Sequence, residues 1–128
     1  MSATPDEMLT CAKDLCARAD CETKYRASIS RAYYAAFHAA RNFHIGLPTP
    51  GSVGNASGGV HAQLIAQLAN PGISKNNKKY YLSQALGKSL RPLVDARVDA
   101  DYHLHLNIEK QFADDILLQA TELVGRAA

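Results

Sequence analysis

Residues 22–44 contain neither proline nor glycine, and apolar or small side chains recur along them around most of a helical projection. Such a segment favours one long helix, and a helix apolar on so many sides has to be covered by neighbours on several of them. It is therefore the central element of the fold. Its principal stripe is Tyr25, Ile29, Tyr33, Ala36, Ala40 and Phe43, while Ala32, Ala35 and Ala39 widen the surface and let adjacent helices approach closely. The helix is predicted from about Glu22 to His44, stopping at Gly46 ahead of Pro48. Arg31, His38 and Arg41 are threaded through it. The segment is thus either a packing spine with a polar edge or the wall of a site for a charged ligand.

The remaining segments read as helices as well. In "TPDE", Thr4 is a capping residue, Pro5 suits the first helical position and Glu7 completes a capping box; Leu9, Ala12, Leu15, Cys16 and Ala19 then form one apolar face. "LPTPGSVGNASGG" is a flexible connector by composition, and Val60 stands where a phosphate-binding loop needs lysine. A short helix from Val60 to Ala69 breaks at "NPG". A fourth helix is predicted from Asn76 or Asn77, with Leu82, Leu86, Leu90, Leu93 and Val94 on one stripe and Pro92 expected to kink or divide it. "DADYHLHLN" reads as a tight connection, and a last helix from about Asn107 is expected to bury Ile108, Phe112, Ile116, Ala120 and Leu123. With no strand-like alternation and no internal repeat, residues 1–128 are expected to form one all-α domain, an up-and-down bundle of four to five helices.

A net charge of +2 does not by itself announce a nucleic-acid binder. The distribution says more. From Lys75 to Arg91 there are five basic residues (Lys75, Lys78, Lys79, Lys88, Arg91) and no acidic one. Lys78, Lys79 and Arg91 are candidates for phosphate contacts, with Tyr80 or Tyr81 available for base stacking; a merely solvated face is the plainer alternative. Cys11, Cys16 and Cys21 are spaced so that successive thiols on a helix point about 140° apart, which yields neither a disulfide nor a zinc knuckle. Reduced, mostly packed cysteines of a cytoplasmic protein are expected. The N-terminus shows no basic region followed by an apolar run, and no stretch is apolar for long enough to span a bilayer, so no membrane partner is expected.

Chemistry enters at the end of the fourth stripe. After Leu86, Leu90 and Leu93 the next inward position is Arg97, a guanidinium where an aliphatic side chain belongs. The simplest account has Arg97 reaching outward to pair with Asp101 one turn on. Nearby, however, lie His103 and His105, and an imidazole with an arginine suffices for RNA cleavage without a metal. On a straight helix Arg97 and His103 are about 240° apart, so they converge only if the helix breaks or a second copy supplies one of them. Arg31 and His38 share a face with Tyr34 and line the same cleft or a solvated edge. His44, near a helix end, suits the dipole, and His61 is uninformative. No metal site, Ser-His-Asp set or cofactor motif is visible, and none is expected.

"SRAYYAAFHAAR" resembles the helix signature "R-x-x-S-R-x-Y-Y-A-x-F-H-A-A" of the HEPN superfamily, in its compact single-domain prokaryotic branch. Arg26, Ser30, Arg31, Tyr33, Tyr34, Phe37, His38 and Ala39 occupy matching places. "R-V-D-A-D-Y-H", Arg97 to His103, is similar to the family's "R-x-x-A-D-Y" after an apolar helix. The resemblance implies a helical bundle that dimerises, with an R-x4-6-H motif facing its copy across the cleft of a metal-independent endoribonuclease. Arg97 and His103, the implied catalytic pair, have five intervening residues. Asp101, Tyr102 and His105 are then cleft-lining residues beside Arg31, Tyr34 and His38. The family also implies a toxin or antiviral-defence role beside a small nucleotidyltransferase antitoxin or another defence protein. The alanine-rich central helix and the self-facing motif together predict a two-fold homodimer with Arg97 near the axis. Two positions depart from the pattern. Val98 replaces the polar residue that follows the arginine in active members, which keeps open a second reading, an inactive module binding RNA, a nucleotide or a partner protein. His105 stands where toxins silenced by nucleotidylation carry tyrosine.

Overall fold

The computed structural model describes residues 3–128. The described residues form five helices: α1 (Pro5–Ala17), α2 (Glu22–Ile45), α3 (Val60–Ala69), α4 (Lys79–Tyr102) and α5 (Lys110–Ala127). The start of α1 follows from its own first residues. The Thr4 hydroxyl accepts the Glu7 N–H at 3.1 Å and the Glu7 carboxylate accepts the Thr4 N–H at 3.2 Å, so two orphan donors are satisfied reciprocally.

α2 is the hub, packed against α1, α4 and α5, while α3 rests chiefly on α4. Ile29, Ala32, Tyr33, Ala35, Ala36 and Ala40 are fully covered, and Leu86, Leu90 and Leu93 of α4 meet them with no exposed surface. Each such leucine contributes about 1.5–3 kcal/mol relative to leaving it in water. The alanines therefore serve close approach inside one chain. They are consumed by α1, α4 and α5, and give no support to a dimer contact made by that face.

Several boundaries differ from the expectation. α4 starts at Lys79 rather than Asn76 or Asn77, because the Asn77 side chain accepts the Lys79 N–H at 2.9 Å and Asn76 donates to the Ser74 hydroxyl at 3.2 Å; both asparagines are spent on turns. Pro92 does not divide α4. It lies exposed between the fully covered Leu90 and Leu93, which hold the helix on the core across the missing hydrogen bond. α5 begins at Lys110, so Ile108 is buried from the preceding connection, while Phe112 is 37% exposed and Ala113 takes the inward place.

The 47–59 connector is not free along its whole length. Leu47 is buried, the Ser52 N–H bonds to the Asn70 carbonyl at 2.9 Å, and a Cβ on Gly51 would sit 1.9 Å from the Gln67 carbonyl oxygen. His44 is the anchor. Buried at the end of α2, its Nε2 accepts the Gly51 N–H at 3.0 Å, which only a neutral ring can do, and burial lowers its pKa. A charged partner for the helix dipole is thus the wrong description of His44. Of the cysteines only Cys16 is packed, with Cys11 and Cys21 exposed. No helix among the described residues is long and apolar enough to cross a membrane.

Candidate functional site

Arg97 lies five residues before the end of α4, where the core stripe runs out, and its side chain is only 11% exposed. Its guanidinium carbon stands 5.6 Å from the Tyr33 ring centre, 5.7 Å from that of Tyr34 and 5.6 Å from that of Tyr102. Cation–π attraction of this kind reaches about 2 kcal/mol when desolvated, which offsets part of the cost of covering the charge. The pairing with Asp101 is present but long, 3.6 Å from Nη1 to the carboxylate, and the buried Nε has no partner among the described residues. Arg97 is held in place without being hydrogen-bonded to saturation.

The ring beneath it has its own support. Tyr33 is fully covered, and its hydroxyl shares a hydrogen bond with Nδ1 of His61 at the start of α3. Burial pushes the Tyr33 pKa far up, only partly opposed by Arg97, and both burial and the Arg97 charge push that of His61 down. His61 also lies 4.9 Å from the Phe37 ring centre and 6.0 Å from that of Tyr34. It belongs to the aromatic floor of the site, although nothing in its sequence neighbourhood marks it, since it arrives from the far side of a long connector.

Beside Arg97 opens a cavity of about 320 Å³ lined by Ala27, Ser30, Arg31, Tyr34 and Asp101. Asp101 is fixed there by a 3.1 Å hydrogen bond from the Ser30 hydroxyl, which ties α4 to α2. Of the residues expected at a cleft, Tyr34, Asp101 and Tyr102 are therefore gathered around Arg97, and Arg31 lines the adjoining cavity. His38 is one turn further along α2, 6.5 Å from the Tyr34 ring centre, and does not line this cavity. Lys78 and Lys79 are exposed at the opposite end of α4, and Arg91 lines a different groove, so none of the three is a cleft residue.

His103 caps α4, its N–H bonding to the Asp99 carbonyl. Its Nδ1 lies 2.7 Å from the Asp99 carboxylate, and because a carboxylate only accepts, that nitrogen carries a proton; in the neutral ring the lone pair is on Nε2. The His105 ring centre is 5.9 Å away. No hydrogen bond joins His103 to Arg97: α4 stays helical through Tyr102, so the two side chains leave it in different directions.

What positions His103 is a second arginine. Arg26, buried on α2, donates to the carbonyls of Asp99 (3.1 Å), Ala100 (3.0 Å), His103 (3.2 Å), Leu104 (3.5 Å) and Leu106, and through Nε to Glu22 at 2.8 Å. It closes the open carbonyl end of α4 and clamps the turn that bears both histidines. Comparison with protein-family models, curated proteins and solved structures gives no match to this chain. The residues define an all-helical bundle with an arginine set on a tyrosine floor, next to a small polar cavity whose lining residues Tyr34 and Asp101 it touches.

Proposed function

We propose that the protein is a metal-independent endoribonuclease of the HEPN type, acting as a homodimer in a toxin-like or defence role. The observation that carries the reading is the state of Arg97: buried against three tyrosines, weakly paired to Asp101, and beside a cleft that also presents Arg31. A cation prepared in this way suits the charge that builds on a phosphoryl group in transit. His103 of a second copy supplies the base. Its Nε2 takes the 2′-hydroxyl proton, the O2′–P bond forms as the P–O5′ bond breaks, and the imidazolium returns a proton to O5′. The products are a 2′,3′-cyclic phosphate and a 5′-hydroxyl. Tyr102 at 68% exposure and Leu104 at 73% leave apolar surface next to the cleft that a second copy would cover.

A second reading, an inactive module that binds RNA, a nucleotide or a partner protein, is favoured by Val98, half-buried directly after Arg97 where a polar group would assist the phosphate. A small nucleotidyltransferase antitoxin, or another defence protein, is the partner class that follows from the resemblance alone. His105 offers no tyrosine hydroxyl for modification at that position, and Tyr102 is not its equivalent. The test is a gel assay on structured and unstructured RNA in EDTA. Cleavage should persist and leave a cyclic phosphate, and His103→Ala should slow it about 10²–10⁴-fold. Arg97→Ala should cost about 10²–10³-fold. Absence of cleavage by a well-folded dimer selects the binding module.

A further inference from the structure

A groove of about 720 Å³ opens between α3 and α4 and shares no lining residue with the cavity beside Arg97. Its floor is Ile65, Ala69, Ala85 and Gly87. A Cβ on Gly87 would come within 3.2 Å of the Leu68 Cβ and 3.3 Å of the Ile65 carbonyl oxygen, so α3 lies directly against the α4 backbone there. Tyr81, Gln84, Lys88 and Arg91 follow one another at intervals of three and four residues and so share one side of α4. Lys88 and Arg91 are exposed, and Tyr81 is 63% exposed.

The charge around this groove is one-sided on a larger scale than the 75–91 run. Between residues 23 and 94 the chain has nine lysines and arginines and no aspartate or glutamate; all 12 acids lie in residues 1–22 and 95–128. Every residue lining the groove comes from the acid-free section. Lys88 and Arg91 are the only charged groups in its lining, which favours an anionic occupant. An exposed aromatic face beside two cations, with the amide of Gln84 between them to donate and accept, suits a nucleotide better than an acidic helix. From these observations we infer that the α3–α4 groove binds single-stranded RNA, with a base on Tyr81 and the apolar floor and phosphates on Lys88 and Arg91. This rests on RNA as the ligand of the proposed function, but the groove is a second site that engages the strand outside the cleft.

The probe is a fluorescein-labelled 2′-O-methyl oligouridylate, which has no 2′-hydroxyl to attack and so reports binding apart from cleavage. Its anisotropy is titrated at several salt concentrations. Tyr81→Ala should weaken binding roughly 5- to 100-fold. Lys88→Gln with Arg91→Gln should reduce the slope of log affinity against log salt by about 1.4. All three side chains are exposed, and an unchanged melting curve verifies that the variants fold. Affinity and slope unaltered in these variants overturn the groove, even if the wild type cleaves RNA. Binding only of an acidic peptide, competed by none of the RNA, assigns the groove to a protein partner and overturns the inference equally. Groove-dependent binding without any cleavage leaves the inference standing and removes the ribonuclease instead.

Discussion

Arg26 and Arg97 are both largely covered, on facing helices, and their surroundings treat them in opposite ways. Arg26 spends its donors on five carbonyls and one carboxylate, all within the chain. Arg97 has rings on which to rest, one distant carboxylate, and a buried Nε with no acceptor among the described residues. A saturated guanidinium is a structural part, because every bond it makes is already made. An unsaturated one carries a desolvation cost that the fold itself does not repay, and that is the pattern of a group kept for a ligand. In the proposed function the two meet in one mechanism: Arg26 fixes the turn that carries His103, and Arg97 is the cation offered to phosphate.

The contrast has thermodynamic consequences. Arg26→Ala should destabilise the protein by about 3 kcal/mol or more, since several carbonyls lose their donor at once. Arg26→Lys should recover little, because a single ammonium cannot span that fan of acceptors. Arg97→Met should change stability by no more than about 1 kcal/mol, or raise it, because a buried charge is exchanged for an apolar chain of similar length. Urea unfolding of the three variants checks all of this. A large loss from Arg97→Met, matching that from Arg26→Ala, would erase the distinction.

A smaller effect sharpens it by pH. His44 and His61 both have lowered pKa values in the fold, so the unfolded chain binds more protons in acid. Their contribution is intact above the ordinary imidazole value of 6.5 and is lost as pH falls below it through the folded values. The urea midpoint should decline over that window. His44→Gln, whose amide oxygen still accepts the Gly51 N–H, should make the decline shallower. A midpoint as steep in His44→Gln as in the wild type would place the proton uptake elsewhere.

How much of this could be read from the chain alone follows from the range of each interaction. The Thr4–Glu7 capping box, the central α2 and the bounds of α3 depend on residues within a turn of one another, and all are as expected. The start of α4 was misplaced because Asn77 serves equally as a helix residue or a turn cap, and the turn won. Phe112 has the right period for the core but sits at the rim of the buried face. Arg97 was visible as a charge in an apolar stripe. His61 and the carbonyl fan on Arg26 were not, because their partners lie on other helices and leave no periodic trace in sequence. The basic run was visible too, but only the packing of α3 on α4 separates Arg91, in the groove, from Lys78 and Lys79, outside it.

The central claim is that Arg97 and His103, joined by no hydrogen bond within one chain, make a site only between two copies. Mixing the inactive Arg97→Ala and His103→Ala proteins, with time for subunits to exchange, tests it most directly. In a mixed dimer one cleft combines both intact residues and the other neither, so ribonuclease activity should return to roughly a quarter of the wild-type level. A mixture as inactive as either variant alone, with exchange verified, would mean that the pair does not act across the dimer, and would contradict the account.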